Sequence, residues 1–323
     1  MNTNIIKEYL DSCEITYEEN VKLESKTWIH RGGFCGFFVT PANTIILSNL
    51  VRFLIDTGTA YLIVGCTSNI YIKNSFDIDV VISTLKCREI TFDEKEFCCE
   101  CGVLVTRLAK ECVNRGICGY EYLTSLPGTV AGGIYNNSSC HENCITDNLK
   151  EVKVLTDQGE LISIPKADLD LTFRNSVFKK KSIKGCILNV TFSITNGDID
   201  TLKQIAYKNE ANRRKILESP SKNLGCTVNR PFILGRKPIW MRFVQLFCRV
   251  LFRPFMSIER YDMFYHNILF TITGQNELGK YVSPKNILTF IWRDEGADRQ
   301  FDNYLSFMKK YFKTDSVEIE IFG

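Results

Sequence analysis

Several features that place a chain in a familiar class are missing from these 323 residues. Residues 1–20 are acidic and polar and lack the apolar core of a signal peptide, so a cytoplasmic protein is expected. The formal net charge is only +3, which gives no sign of nucleic acid as a partner. Neither GxGxxG nor GxxxxGK(S/T) occurs, so the fingerprints for dinucleotides and nucleoside triphosphates are both absent.

Cysteine is abundant, with 14 residues, yet its placement does not resemble a disulfide framework. Cys98, Cys99 and Cys101 lie on a predicted strand, where Cys99 and Cys101 share one face. They and the run from Cys140 to Cys144 lack the two-armed ligand spacing of zinc sites, so we expect buried thiols and no metal. Other cysteines lie singly within apolar runs, as small buried residues do: Cys66, Cys87, Cys112, Cys186 and Cys248.

The length and a hydrophobic content of 45% predict two domains, each with its own core. A strong turn signal around Gly197 is followed by a highly charged helical pattern, which gives expected domains of 1–197 and 198–323. The periodicity predicts helices over 44–57, 103–115 and 198–215, strands over 61–65, 70–72, 89–101 and 187–194, and a hairpin over 150–155 and 160–164.

Two segments have the composition of phosphate-binding backbone. The run from Gly65 to Asn69 follows a strand and offers small residues, hydroxyls and an amide. The run from Leu126 to Gly133 reads as a turn followed by glycine-rich backbone. Small side chains let backbone N–H groups approach a pyrophosphate closely. Alone, each segment is more typical of an ordinary tight turn, but two of them in one domain favour a phosphate-binding site.

Six segments, in this order, resemble the UDP-N-acetylenolpyruvoylglucosamine reductase (MurB) family. The resemblance covers roughly residues 27–230 and resumes over 282–323. The proline–glycine–threonine–valine run and the arginine segment are its more specific parts. The six segments are TWIHRGG at 27–33, VGCTSN at 64–69, GYEYLTSLPGTVAGG at 119–133, LTFRNSVF at 171–178, GCTVNRP at 225–231 and EIEIFG at 318–323.

The resemblance implies an α+β fold, with an FAD-binding domain of two α+β subdomains and a C-terminal α+β substrate domain. The first domain would be of the vanillyl-alcohol-oxidase (PCMH) type, and the last strand would return to the active site. Carried over residue by residue, FAD would be bound by two sets of residues. These are Gly65, Cys66, Thr67, Ser68 and Asn69 at the pyrophosphate, and Pro127, Gly128, Thr129, Gly132 and Gly133 on the other side.

The resemblance also implies a reaction. In the family, NADPH reduces the flavin, and hydride then passes from flavin N5 to the vinyl carbon of an enolpyruvyl nucleotide sugar. Arg174 would hold the substrate carboxylate, Cys226 would donate the proton in place of the usual serine, and Glu318 would orient the donor. A thiol near the reference pKa of about 8.5 stays mostly protonated at pH 7, so the exchange permits activity. Singly, these residues also fit a salt-bridged arginine, a small buried residue and a solvent-facing glutamate.

The substrate half departs from the family between residues 231 and 280. Asn286 stands where the family has histidine, and Glu320 stands where it has arginine. We therefore rank the peptidoglycan precursor first among substrates, with NADPH or NADH as donor. A different sugar in capsule or lipopolysaccharide synthesis comes second. A flavin-binding protein without catalytic activity is the third hypothesis.

Residues 236–254 predict a basic amphipathic helix. Such a helix can lie in a membrane interface, although the pattern favours a helix packed into a core with solvated arginines. Arginine interrupts the segment too often for it to span a bilayer. The apolar residues are Ile239, Trp240, Phe243, Val244, Phe247, Val250 and Leu251, and the polar ones are Arg242, Gln245, Arg249 and Arg253.

Overall fold

The computed structural model describes residues 3–140, 143–216, 218, 222–228, 238–314 and 316–323. The chain contains both helices and largely antiparallel sheets, with strands and helices in separate runs, which confirms the predicted α+β class. The helices are α1 (Thr3–Ser12), α2 (Thr44–Asp56), α3 (Val105–Asn114), α4 (Val130–Tyr135), α5 (Ile199–Ile216), α6 (Ile239–Leu251), α7 (Ile258–Ile272) and α8 (Ala297–Phe312). The strands are β1 (Thr16–Lys22), β2 (Phe34–Thr40), β3 (Tyr61–Val64), β4 (Ile70–Ile72), β5 (Asp77–Ser83), β6 (Ile90–Phe92), β7 (Glu96–Glu100), β8 (Ser139–Cys140), β9 (Asn143–Cys144), β10 (Leu149–Thr156), β11 (Leu161–Pro165), β12 (Gly185–Ser193) and β13 (Glu320–Phe322).

The chain divides into two compact units. The first contains the described residues of 1–23, 33–67 and 76–213. The second contains the described residues of 24–32, 68–75 and 214–323. Two short segments that precede Gly197 in the chain therefore belong to the second unit.

The first unit contains two larger sheets. One has the strand order β1-β2-β5-β3, with β1 antiparallel to β2 and with β2 and β3 parallel to β5. The other has the order β11-β10-β12-β7-β6 and is antiparallel throughout. The predicted hairpin is confirmed, because β10 pairs with β11 around a turn at Gly159, which has a φ of +78°.

Helix α2 shows how sequence and packing agree in this unit. It begins after Asn43, whose side chain accepts hydrogen bonds from the backbone N–H groups of Ile45 and Ile46. Leu47, Leu50 and Leu54 recur at helical spacing and are fully buried in the same cluster as residues of β2 and β5. The predicted helix over 44–57 is therefore confirmed to within one residue.

Residues 130–135 form a helix that the sequence analysis did not predict. The sequence indicates a turn followed by glycine-rich backbone up to Gly133, and the structure shows the short helix α4 there. Thr129 caps this helix, since its Oγ1 accepts a hydrogen bond from Gly132 N at 3.3 Å. Gly133 faces the core, where an added Cβ would lie 2.8 Å from Ile145 Cδ1. Capping and close packing thus outweigh the low helix propensity of the two glycines.

The second unit has an aromatic core. Trp292, Phe290 and Phe301 are almost completely buried and meet one another at centroid distances of 5.0–5.2 Å. Tyr71 of β4 joins this cluster. The carboxyl-terminal strand β13 pairs in parallel with β4, with Ile321 opposite Tyr71. The end of the chain is therefore fixed beside residues 70–72.

Helix α6 confirms the helix predicted in 236–254, but the side chains that it buries differ in part from those expected. Residues 236 and 237 of the predicted segment lie outside the described residues. Met241 and Cys248 are buried. Of the apolar residues for which the sequence favoured a core position, Trp240 and Val244 pack against the core of this unit. The other five are exposed: Ile239, Phe243, Phe247, Val250 and Leu251. In the part of the chain that the structure describes, no helix is both long and apolar enough to cross a membrane.

Candidate functional site

The two glycine-containing segments singled out in the sequence touch each other within the first unit. Gly65 lies so close to Thr129 that an added Cβ would be 2.4 Å from Thr129 Oγ1. The thiol of Cys66 interacts with the backbone of Gly128. Thr67 follows in the left-handed region, at a φ of 53°, and is buried. The segment after β3 and the Pro127–Thr129 turn thus form one small surface.

The Pro127–Thr129 turn is held by the loop between β7 and α3. Gly128 O accepts a hydrogen bond from Val105 N at 3.0 Å, and Val130 N donates to Val103 O at 2.8 Å. Gly128 has a φ of 121°, a conformation that favours glycine. The turn is therefore positioned before any ligand binds.

Cys66 contributes a neutral side chain to this surface. Burial raises the pKa of its thiol to about 11, while the hydrogen bond with Gly128 acts in the opposite direction. The thiol is consequently protonated at neutral pH. It adds no negative charge that would repel a phosphate.

Arg174 lies in the first unit, on a tight turn of its own. Thr172 and Asn175 exchange two backbone hydrogen bonds, of 3.2 and 3.1 Å, and Arg174 between them has a φ of 54°. Its Nη2 donates to Ser139 O at 3.3 Å, and the guanidinium lies 5.8 Å from the centre of the Phe173 ring. Arg174 is half-buried, and the hydrogen bond to Ser139 of β8 orients its side chain.

The arginine turn is tied to α4 by two further side chains. Asn137 Nδ2 donates to Thr172 O at 2.9 Å, and Asn137 Oδ1 accepts from Thr146 Oγ1 at 2.6 Å. The fully buried Ser176 donates from Oγ to Tyr135 O at 2.7 Å. The chain thus connects the arginine turn to the helix that Thr129 caps.

Cys226 and Glu318, the other two predicted catalytic residues, lie in the second unit on two backbone segments that are joined by a hydrogen bond. Glu318 N donates to Thr227 O at 2.8 Å, which places Glu318 beside the residue that follows Cys226. Val228 and Val317 form an isolated antiparallel bridge next to this bond. Glu318 is half-buried and lies two residues before β13.

Asn69 also belongs to the second unit, where it supports Glu318. Its Nδ2 donates to Glu318 O at 3.3 Å, and its own carbonyl accepts from Glu320 N at 2.9 Å. Ser68 precedes it in the same unit. The predicted roles of Ser68 and Asn69 at the pyrophosphate stay predictions. Glu320 is half-buried on β13, and nothing in the structure explains its replacement of the family's arginine.

Comparison with known proteins gives a consistent result. The sequence pattern of an FAD binding domain family matches residues 36–165. UDP-N-acetylenolpyruvoylglucosamine reductase of Clostridium novyi is 26% identical over 228 residues, which cover 70% of this chain and 72% of that protein. The Clostridium beijerinckii protein of the same name is 27% identical over 233 residues, which cover 69% of this chain and 75% of that protein. The crystal structure of UDP-N-acetylenolpyruvylglucosamine reductase (MurB) from Thermus caldophilus has a TM-score of 0.67 at 17% identity, covering 96% of this chain and 100% of that one.

The chain is similar to UDP-N-acetylenolpyruvoylglucosamine reductases at 26–27% identity over most of its length, and its fold matches that of a MurB structure. The cofactor is FAD, and the chain is an FAD-dependent oxidoreductase. The residues present fit the cofactor, because the surface of Gly65, Cys66, Gly128 and Thr129 is made of small uncharged groups beside two turns of fixed backbone.

Sequence reasoning missed two neighbours of Cys226. Asn286 stood out only as a departure from the family's histidine, yet its Nδ2 donates to Cys226 Sγ at 3.4 Å. Tyr304 is also close to Cys226. Burial raises the pKa of the Tyr304 phenol well above its usual value. Its hydroxyl donates to Ile287 O at 3.0 Å. No local pattern in the sequence could have indicated these contacts.

Proposed function

We propose that this protein reduces the enolpyruvyl ether of a nucleotide sugar and oxidises NAD(P)H, with NADPH the expected donor. The best candidate reaction converts UDP-N-acetylenolpyruvoylglucosamine to UDP-N-acetylmuramate in peptidoglycan synthesis. One observation carries most weight. Cys226 and Glu318, which are far apart in the sequence, lie on neighbouring backbone joined by the bond from Glu318 N to Thr227 O. A proton donor and the carboxylate that orients it need such proximity.

The chemistry assigns a separate task to each residue. FAD, when bound, supplies a hydride for the terminal vinyl carbon after taking one from the nicotinamide donor. Arg174 holds the substrate carboxylate with two parallel hydrogen bonds and stabilises the negative charge that develops there. Cys226 delivers the proton to the neighbouring carbon, and Glu318 orients the thiol. The products are the lactyl ether and the oxidised nicotinamide.

The proposal includes the domain roles and the compartment. Residues 1–197 bind the cofactor, and residues 198–323 bind the nucleotide sugar. Gly65, Cys66, Thr67, Ser68 and Asn69, with Pro127, Gly128, Thr129, Gly132 and Gly133, contact FAD. The reaction takes place in the cytoplasm, where both soluble substrates are available.

An anaerobic spectral titration tests the proposal. The purified protein, supplemented with FAD, is treated first with NADPH and then with UDP-N-acetylenolpyruvoylglucosamine. Bleaching of the flavin band by NADPH, followed by its recovery on adding the sugar, is the expected result. Bleaching without recovery would exclude this substrate. Absence of any flavin band after gel filtration would contradict the cofactor role itself.

A different sugar of capsule or lipopolysaccharide synthesis is the second candidate. It is supported by the residues that replace the family's substrate-binding segment, including Asn286 at the histidine position and the helices α6 and α7. The same titration, repeated with other enolpyruvyl and unmodified nucleotide sugars, separates the two candidates. Recovery of the flavin band with none of them would favour a flavin-binding protein without catalytic activity.

A further inference from the structure

A cluster of large apolar side chains is exposed on α6 and on the turn that leads from it into α7. Phe255 at this turn is 86% exposed, and Ile239 at the start of α6 is 71% exposed. Clusters of this kind on a folded unit mark surfaces that contact something else. We call these residues the α6 surface: Ile239, Phe243, Leu246, Phe247, Val250, Leu251, Phe255 and Ile258.

The opposite side of α6 is well anchored. Met241 and Cys248 are buried in the aromatic core of the second unit, one helical face away from the exposed residues. Tyr261 of α7 donates its hydroxyl to Gln245 O at 3.3 Å. Ser257 caps α7 by accepting from Arg260 N. The exposure of the α6 surface therefore follows from how the helix is packed.

From residue 238 to residue 258 the charged side chains are all arginines, and the first acidic residues follow on α7 at Glu259 and Asp262. Arg242 and Arg249 lie seven residues apart, which places them on the same side of α6. This side separates the α6 surface from the buried residues Met241 and Cys248. Arg253 follows the helix, and its Nη1 donates to Met256 O at 3.2 Å. Between 238 and 258 the sequence contains neither aspartate nor glutamate. An apolar stripe with arginines along its edge complements a surface that is apolar inside and anionic at its boundary.

We propose that the α6 surface binds peripherally to a membrane that contains anionic lipids. The apolar side chains enter the boundary between headgroups and acyl chains, and the flanking arginines contact lipid phosphates. At 13 residues, or about 20 Å, α6 is too short to span the hydrocarbon core and lies along the surface instead. A second copy of the chain complements the surface poorly, because it would bring the same three arginines against these three.

Vesicle co-sedimentation of the full chain with its FAD tests this inference. Vesicles of phosphatidylcholine with about 30 mol% phosphatidylglycerol are expected to retain the protein, and vesicles of phosphatidylcholine alone to retain much less. The double variant Phe243→Glu, Phe247→Glu is expected to remain in the supernatant. Arg242→Gln, Arg249→Gln should weaken binding to the anionic vesicles about tenfold or more.

Matched controls separate this effect from general changes in polarity or charge. Ile45→Glu replaces a 73% exposed isoleucine on α2 in the first unit, and Lys110→Gln, Lys208→Gln removes two exposed charges on α3 and α5. Both control proteins should bind vesicles as the parent does. Circular dichroism and flavin content show that every variant is folded.

Three results would overturn the inference. One is that neutral and anionic vesicles retain the protein equally, or that neither kind retains it. Another is binding that the phenylalanine variant does not reduce, since charge alone would then explain it. The third is a dimer, detected by sedimentation velocity, that depends on Phe243 and Phe247 while vesicles retain nothing. None of these results depends on the identity of the nucleotide sugar.

Discussion

Asn286 Nδ2 donates a hydrogen bond to Cys226 Sγ across 3.4 Å. The orientation of the amide is set from its other side, because Asn286 Oδ1 accepts from Leu288 N at 3.1 Å. The backbone of Thr227, next to Cys226, donates in turn to Leu288 O at 2.7 Å. The asparagine that replaces the family's histidine thus holds the thiol in place.

Replacing Asn286 by alanine is expected to lower the rate of the oxidative half-reaction roughly tenfold, as expected for the loss of one positioning hydrogen bond. Alkylation of Cys226 by iodoacetamide should also slow, because the N–H donor that stabilises the thiolate is removed. Stopped-flow reoxidation and mass spectrometry measure the two effects. Asn49→Ala, on an exposed position of α2, should change neither. Unchanged alkylation in Asn286→Ala would contradict the positioning role.

Cys226→Ser should retain measurable turnover, whereas Cys226→Ala should lose most of it. Loss of a general acid typically costs a factor of about 100 or more, and a hydroxyl at the same place can still deliver a proton. Reoxidation of the reduced flavin by substrate is the measurement. Reduction of the flavin by NADPH serves as the internal control and should be unchanged. Equal rates for the serine and alanine variants would exclude Cys226 as the proton donor.

Arg174→Lys should abolish turnover while FAD stays bound. Lysine cannot form the two parallel hydrogen bonds that hold a carboxylate, and the change leaves the Gly65 and Gly128 turns untouched. Flavin content and steady-state rate are measured on the same preparation. Arg107→Lys, on the exposed face of α3, is the matched control. Loss of flavin from Arg174→Lys would show that the arginine supports the cofactor instead.

Gly65→Ala should weaken FAD binding at least about tenfold, because the new Cβ would overlap Thr129 Oγ1 and push the two turns apart. Adding Thr129→Ala removes the overlapping atoms at the expense of the α4 cap. The double variant should therefore recover part of the affinity, as measured by quenching of flavin fluorescence. Full affinity in the single variant would mean that the contact between the turns is unimportant for FAD.

The stability of the protein should depend on Cys66 at alkaline pH. Burial raises the pKa of this thiol from 9.0 to about 11. The contribution of the protonated thiol to the free energy of unfolding is therefore complete below pH 9 and is lost as the pH rises toward 11. In that window the unfolded chain loses the proton first. The free energy of unfolding by urea should therefore fall more steeply in the parent than in Cys66→Ser between about pH 8 and pH 10.5. Parallel curves would show that the thiol is not protected from ionisation.

Much of the fold was predictable because the relevant signals are local. The periodicity of Leu47, Leu50 and Leu54 predicts α2, and the turn around Gly159 predicts the hairpin of β10 and β11. Helix α4 was missed, because a threonine cap and burial of Gly133 outweigh a composition that disfavours helix.

The sequence by itself indicated the resemblance to the MurB family, the cofactor and most element types, since these depend on short contiguous motifs and on periodicity. Only the tertiary structure decided which residues meet. Asn286 reaches Cys226 across 60 positions, and Asn69 reaches Glu318 across 249. It also decided that most of the apolar residues of α6 are exposed, while Trp240 and Val244 pack against the core. Periodicity shows that a helix has an apolar face, but whether another element covers that face depends on the path of the whole chain.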